Sequence, residues 1–278
     1  MEEWAAFCAP AHRGGSFVID QSGSMDEKMF HGRSKAEFVA DVLNKTLVQI
    51  ITRLRRNEGV RNYFEIGVIG YGGSTVGPGF GGALASQVMH PLPDVDANPL
   101  RVEDGKKKVD DGAGGIVEQS VKFPVWFEPK NDGGTPMCDA LRLAAEVLAG
   151  WCDAHAASYP PTLIHVTDGQ STDGDPSAIA DAIRQISTRD GECLLFNLHV
   201  DTGEGQGFAF PSSETGLPDA FSKMLFRRSS LFPPHLIAVA RSLGYSQAGS
   251  ESRFFAYKQG VEGIADFFNI GTQASNLR

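Results

Sequence analysis

Apolar segments that resemble β-strands alternate with amphipathic segments that resemble α-helices along most of this 278-residue chain. The strand-like segments include Ser16–Asp20, Phe64–Tyr71, Thr162–Thr167 and Cys193–Val200. Alternation of this kind is typical of a parallel sheet with helices on both faces. The sequence therefore predicts an α/β fold with a doubly wound, mostly parallel central sheet.

The best-defined helix is predicted to begin at Ser34, because Ser34-Lys35-Ala36-Glu37 has the form of a capping box. Apolar residues at three- and four-residue steps give this helix one buried face, formed by Val39, Leu43, Leu47, Ile50 and Leu54. Further helices are predicted from Pro136 and from Asp175. We predict a single domain over residues 16–278, preceded by an N-terminal extension of residues 1–15.

The regular pattern is interrupted over residues 72–120, where glycine and proline are dense. Within this β-rich insertion, Leu100–Val109 and Ile116–Phe123 are predicted to form a hairpin that turns at Asp110–Gly115. Val125–Phe127 is predicted to close the insertion as a strand. A loop of this length is usually functional or mobile, and the aromatic residues at its exit favour a partner-binding surface.

The C-terminal part, from about residue 201 to residue 278, is predicted to be a smaller elaboration of the domain. Its predicted elements are two helices, a strand and a final helix, over Pro218–Phe226, Pro234–Leu243, Arg253–Tyr257 and Val261–Phe268.

Composition excludes several functional classes. A net charge of -9 argues against nucleic-acid binding, which depends on basic surfaces. The acidic start Met1–Trp4 leads into no apolar signal region, and no apolar stretch has membrane-spanning length. The four cysteines show no C-x-x-C spacing, which favours free buried thiols. We therefore expect a cytoplasmic protein without nucleic-acid or membrane partners.

Side chains with oxygen donors cluster where predicted strands give way to loops. Asp20, Ser22 and Ser24 follow the first strand, Thr135 precedes a helix, and Asp168 follows a later strand. Ligand sites in open α/β sheets form at the carboxyl ends of strands, and Mg²⁺ prefers hard oxygen ligands in an octahedral array. These five residues therefore predict a Mg²⁺ site, with Mn²⁺ or Ca²⁺ as alternatives, whose sixth position is open to an acidic side chain of another protein.

The motifs Asp20-x-Ser22-x-Ser24, Gly-Gly-Thr135-Pro and Thr-Asp168-Gly resemble the metal-ion-dependent adhesion site (MIDAS) of von Willebrand factor A (VWA) domains, and they occur in the family's order. The resemblance covers about residues 16 to 200 and implies a Rossmann-like VWA fold. It also implies that Ser22, Ser24 and Thr135 contact the metal directly. Asp168 would act directly or through water, and Asp20 would support the shell or reach the metal through water.

The chain is more similar to intracellular bacterial VWA proteins than to extracellular ones. Members of that group often act beside AAA+ ATPases, Ser/Thr kinases or phosphatases, as in gene clusters of the tellurite-resistance type. This resemblance implies a non-enzymatic adaptor or assembly factor in a bacterial signalling or stress-response system.

Other interpretations remain open at the level of sequence. Each motif taken alone also fits ordinary turn chemistry, and Thr135 also fits a helix N-cap. The same site could serve a metal-dependent phosphoester hydrolase, or the metal could be purely structural. His165 and His199 are expected to be hydrogen-bonded core residues. Gly72–Thr75 lacks a lysine at P-loop spacing, so we do not expect it to bind phosphate.

Overall fold

A computed structural model of the chain describes residues 13–29, 32–110, 116–202 and 206–273. The strands in these ranges are β1 (Arg13–Asp20), β2 (Arg55–Arg56), β3 (Gly59–Val60), β4 (Phe64–Gly72), β5 (Thr75–Pro78), β6 (Met89–Pro91), β7 (Arg101–Asp110), β8 (Ile116–Val125), β9 (Thr162–Thr167), β10 (Ser187–Thr188), β11 (Gly191–Glu192), β12 (Leu194–His199), β13 (Phe208–Ala209) and β14 (Phe255–Tyr257). The helices are α1 (Lys35–Leu54), α2 (Leu92–Ala97), α3 (Met137–Ala154), α4 (Ser177–Ile183), α5 (Ala220–Arg228), α6 (Pro234–Ser242) and α7 (Val261–Gly271).

The central sheet has the strand order β13-β14-β12-β9-β1-β4-β5, and β6 also pairs with β4. The pairs β1–β4, β1–β9, β9–β12 and β12–β14 are parallel. Strands β5, β6 and β13 pair in the antiparallel sense at the periphery. The predicted α/β architecture with a mostly parallel sheet is confirmed, and the sheet is mixed at its margins.

Apolar side chains cover both faces of this sheet. Along β1, Phe17 and Ile19 pack into one core and Val18 into the other, because successive side chains of a strand point to opposite faces. Helices α1, α6 and α7 contribute to the first core, and α3, α4 and α5 contribute to the second. The sheet is therefore doubly wound, as its sequence pattern predicts.

The predicted capping box at the start of α1 is present. The Ser34 hydroxyl accepts the Glu37 N–H at 3.1 Å, and the Glu37 carboxylate accepts the Ser34 N–H at 2.7 Å. The predicted apolar face of this helix is buried from Val39 to Leu54. Local sequence alone thus determines where this helix begins.

Several predicted boundaries differ from the structure. Strand β1 begins at Arg13 rather than Ser16, because its first residues pair with β4 from Arg13 onward. Residues 13–15 therefore belong to the sheet, and residues 1–12 lie outside the described residues. The C-terminal helices and strand all form, with ends that match the prediction or are shifted by up to three residues; the strand is shorter than predicted, at Phe255–Tyr257.

The hairpin predicted in the insertion is present as β7 and β8, and its turn at residues 111–115 lies outside the described residues. The prediction that Val125–Phe127 closes the insertion as a strand is wrong for Trp126 and Phe127, since Val125 ends β8. The N–H groups of Trp126 and Phe127 instead donate to the Asn44 side-chain oxygen at 2.8 and 3.1 Å. The buried Asn44 side chain on α1 thus pairs two backbone N–H groups just beyond the end of β8.

The thiols of Cys138, Cys152 and Cys193 are free and buried, as expected, whereas Cys8 lies outside the described residues. Within the described ranges, the helices are either too short or too polar to cross a lipid bilayer.

Candidate metal centre

The candidate site lies where the strand order reverses. After β1, the chain adds β4 on one side of that strand and later adds β9 on the other. Since β1 and β9 are parallel neighbours with Ile19 opposite Val166, Asp20 and Asp168 emerge at the same edge of the sheet. This is the position at which open α/β sheets form ligand sites.

Asp20 is fully buried and fixes the loop that follows β1. One carboxylate oxygen accepts the Ser22 N–H at 2.9 Å, and the other accepts the Thr167 hydroxyl at 2.8 Å. Tyr71 lies farther away, with its hydroxyl 3.5 Å from the second oxygen. Burial raises the pKa of Asp20 to about 6, although the hydrogen bonds from Ser22 and Thr167 act in the opposite direction.

Ser22, Ser24 and Asp168 form a continuous chain of oxygen atoms. The Ser22 and Ser24 hydroxyl oxygens are 3.1 Å apart, and the Ser24 hydroxyl donates to Asp168 Oδ1 at 2.7 Å. Ser22 is buried, whereas Ser24 is exposed to solvent. Three predicted ligands from two loops therefore meet at one point that solvent can reach through Ser24.

The loop that carries Thr135 is held against the other loops by backbone hydrogen bonds. The Gly23 N–H donates to the Gly133 carbonyl at 2.9 Å, and the Gly73 N–H donates to the Gly134 carbonyl at the same distance. Gly133 has a φ of +56°, and a Cβ at that position would lie 2.5 Å from the Gly73 Cα. Glycine is required here by both the backbone conformation and the close approach.

Thr135 itself is buried and is tied to the Asp168 loop through Thr172. Its N–H donates to the Thr172 hydroxyl at 3.0 Å, and its carbonyl accepts the Thr172 N–H at 2.9 Å. Pro136 is the N-cap of α3, and the helix has no cap hydrogen bond from that side chain. The alternative in which Thr135 caps the helix is therefore wrong.

Asp173, which the sequence analysis did not single out, satisfies the free N–H groups at the start of α3. Its carboxylate oxygens accept the N–H groups of Cys138 and Asp139, each at 2.9 Å. The loop after β9 thus fixes the start of the helix that follows Thr135. This leaves the Thr135 side chain without a capping role.

Lys35 is a further residue of the site that sequence reasoning missed. Its ammonium group donates to Asp168 Oδ2 at 3.1 Å and also to Glu27. Burial disfavours the charged form of Lys35, but the hydrogen bonds and charges of Glu27 and Asp168 outweigh this effect and raise its pKa. Its burial could have been inferred from spacing, because Lys35 lies four residues before Val39 and therefore on the same, buried face of α1.

A buried chain of polar side chains lies beneath the site. The Tyr71 hydroxyl is 2.8 Å from His165 Nε2, and His165 Nδ1 is 3.0 Å from the Asn197 side-chain oxygen. Burial lowers the pKa of His165 to about 4, so its ring is neutral near pH 7. His199 is also buried and lies 3.1 Å from the Ser222 hydroxyl. Both histidines are hydrogen-bonded core residues, as expected.

The donor atoms present fit a hard divalent cation, since the predicted ligands offer only carboxylate and hydroxyl oxygens. Within the described ranges, no three His, Cys, Asp or Glu side chains are grouped in a way that could hold a metal ion. Any cation at this site would therefore depend on the neutral hydroxyls of Ser22, Ser24 and Thr135 as well as on Asp20 and Asp168.

No model of a known protein family matches the chain, and no curated protein matches it. Among solved structures, it is similar to the PilB minor pilin from Streptococcus sanguinis, with 12% identity and a TM-score of 0.46 over 94% of this chain and 60% of that chain. It is also similar to the vWF domain of the type V pili tip protein Mfa5 from Porphyromonas gingivalis, with 14% identity and a TM-score of 0.32 over 59% of this chain and 40% of that chain.

A third similar structure is the pilus adhesin RrgA from Streptococcus pneumoniae, with 14% identity and a TM-score of 0.32 over 90% of this chain and 34% of that chain. The chain thus spans between 34% and 60% of the length of these solved chains. Similarities of this size do not establish a family or a function. The α/β fold class stands on the structure itself, and membership of the VWA family remains a prediction.

Proposed function

We propose that this protein is a VWA-like module that binds a divalent cation and uses it to bind a protein partner, without catalysing a reaction. The cation would be Mg²⁺, with Mn²⁺ and Ca²⁺ as alternatives. Ser22, Ser24 and Thr135 would contact it directly, and Asp168 would act directly or through water. Asp20 would support the other ligands or reach the cation through water. An acidic side chain of the partner would complete the coordination.

The observation that carries this proposal is the chain of oxygen atoms from Ser22 through Ser24 to Asp168, beside the buried Asp20. Residues far apart in sequence contribute to it, and backbone hydrogen bonds hold the Thr135 loop against it. Neutral hydroxyl ligands leave a bound cation strongly electrophilic, which favours an anionic oxygen as the final ligand.

The hydrolase alternative receives less support from the site. A nucleophilic serine needs a nearby group that can accept its proton. The Ser24 hydroxyl donates to Asp168 at 2.7 Å, but this carboxylate is also paired with the charged ammonium group of Lys35 and is itself a proposed metal ligand. The nitrogen atoms of His165 face Tyr71 and Asn197 instead of a serine of the site. We therefore favour binding over catalysis.

The partner would be intracellular, and the resemblance to bacterial VWA proteins suggests an AAA+ ATPase, a kinase or a phosphatase. The protein would then act in the cytoplasm as an adaptor or assembly factor in signalling or stress response. Nucleic acid and membranes are not expected partners, because the chain carries a net charge of -9.

The direct test is titration of the purified protein with Mg²⁺ and Mn²⁺ by calorimetry. We expect one saturable site in the wild-type protein and in Ser187→Ala, which removes an exposed hydroxyl on β10. Ser24→Ala and Thr135→Ala should each weaken binding at least about tenfold, because each removes a ligand. Binding that is unchanged in both ligand variants would contradict the assignment of the site.

The partner step needs a separate experiment. The immobilised protein would be incubated with bacterial extract in Mg²⁺, in EDTA, and as the Ser24→Ala variant. A partner bound through the cation should be retained only in the first case and should be released by chelator. Equal recovery with EDTA would refute metal-dependent recognition, even if the cation itself binds.

A further inference from the structure

Lys35 is a buried cation beside the proposed metal site. Its side chain is only 4% exposed, although lysine is almost never fully buried in proteins unless it is paired. The ammonium group lies 3.1 Å from Asp168 Oδ2 and also contacts Glu27. The helix that carries it, α1, is fixed at this point by the capping box of Ser34 and Glu37.

The two carboxylates that Lys35 contacts differ in their surroundings. The Glu27 side chain is 57% exposed, so water hydrates it and screens its charge. The Asp168 side chain is fully enclosed, with one oxygen bound to Ser24 and the other to Lys35. The charge of Lys35 therefore acts mainly on Asp168 and on any cation held near it.

We propose that Lys35 sets the charge of the metal-loaded site and thereby its preference for an anionic ligand. This inference rests on the proposed function. Asp20, Asp168 and Lys35 together carry one net negative charge, so a bound dication leaves the loaded site with one net positive charge. Without Lys35, the two carboxylates would neutralise the dication completely.

Two consequences follow from this charge balance. Lys35 repels the dication, so the site holds a cation weakly on its own. A carboxylate that joins the loaded site neutralises the remaining positive charge, so the cation and an acidic partner strengthen each other's binding. The cation would then be retained chiefly in the complex with the partner.

The test is a titration of the 278-residue chain and three variants with Mn²⁺, in which electron paramagnetic resonance measures the free ion. Lys35→Met removes the buried charge, and Lys35→Arg keeps it. Lys45→Met is the matched control, because Lys45 lies on the same helix, is 58% exposed and pairs with Asp41. Circular dichroism and thermal melting would verify that each variant is folded.

We expect Lys35→Met to bind Mn²⁺ at least about tenfold more tightly than the wild-type protein, because a nearby like charge is removed. Lys35→Arg and Lys45→Met should bind as the wild-type protein does. If Lys35→Met binds Mn²⁺ no more tightly while Lys45→Met behaves normally, Lys35 only positions Asp168 and the inference is wrong. If wild-type protein and Lys45→Met both fail to bind Mn²⁺, the proposed function fails as well.

A second measurement uses the unaltered protein and sodium acetate as a simple carboxylate. In the wild-type protein, acetate should tighten Mn²⁺ binding more than equimolar chloride does, and the same comparison in Lys35→Met should show a smaller effect. An acetate effect absent from the wild-type protein would overturn the inference, even if the Lys35 variants did not fold.

Discussion

Replacing Asp20 by asparagine should make the metal-free protein more stable while abolishing cation binding. The site can accept the substitution, because the asparagine oxygen can accept the Ser22 N–H as Asp20 does. The new NH₂ group can donate to the Thr167 hydroxyl, which can turn its own hydrogen to the Gly169 carbonyl 3.0 Å away. The side-chain volume is unchanged, so we expect no packing defect.

The expected gain follows from the pKa of Asp20. Burial raises this pKa from an ordinary value of 3.8 to about 6 in the folded protein. Above pH 6, Asp20 is ionised in both states, and the rise of its pKa to about 6 corresponds to a penalty of about 3 kcal/mol in the folded state. Below the ordinary value, the carboxyl is protonated in both states and the penalty disappears.

The asparagine side chain would carry no charge at any pH, so Asp20→Asn should be more stable than the wild-type protein by about 2 kcal/mol at neutral pH, after some loss of hydrogen bonding. The difference should shrink as the pH falls through 6 and vanish near pH 4. His165 also titrates differently in the folded protein, but its contribution is the same in both proteins and cancels in the difference.

The assay is urea unfolding in EDTA, followed by tryptophan fluorescence, at neutral pH and near pH 4. Asp190→Asn, at an exposed position, serves as the matched control and should change stability by less than about 0.5 kcal/mol. Added Mg²⁺ should stabilise the wild-type protein and leave Asp20→Asn unchanged. An Asp20→Asn protein that is less stable than wild type in EDTA would refute the argument that burial of this charge is costly.

Three further substitutions test structural contacts in the loops of the site and at the end of β8. Gly133→Ala should lower the free energy of unfolding in urea by about 3 kcal/mol and weaken Mn²⁺ binding, because the new methyl group meets the Gly73 backbone. The control is Gly244→Ala, also at positive φ but with open space around it, which should lower stability less and leave Mn²⁺ binding unchanged. Asn44→Ala leaves two buried N–H groups unpaired and should cost about 3 kcal/mol, measured by calorimetry; a loss below about 1 kcal/mol would contradict this role. Asp173→Ala should cost about 1 to 2 kcal/mol by removing the cap of α3, and unchanged urea stability would exclude that role.

The parts of the fold that sequence predicted correctly are those that local chemistry determines. The capping box of Ser34 and Glu37 placed the start of α1 at the correct residue. Strand β9 has the predicted ends, because its apolar run is bounded by Pro161 and by Asp168. In both cases the residues that decide the boundary are neighbours in sequence.

The parts that sequence did not predict depend on distant contacts. The early start of β1 at Arg13 results from pairing with β4, which two glycines in the sequence concealed. The end of β8 depends on Asn44, which lies more than 80 residues away in the sequence. The burial of Lys35 depends on Asp168, which belongs to a different loop. The candidate ligands themselves were identified from motifs, and their role in binding a metal remains a prediction.

The hairpin of β7 and β8 has one more consequence. Within the described residues, these ten-residue strands pair only with each other and form a sheet of their own. Exposed edge strands of this kind can pair with strands of other chains, which leads to aggregation. Here both margins carry charged residues, Asp104 faces Lys122 across the ribbon, and Pro124 removes one backbone donor. These features discourage the two-stranded ribbon from polymerising through its edges.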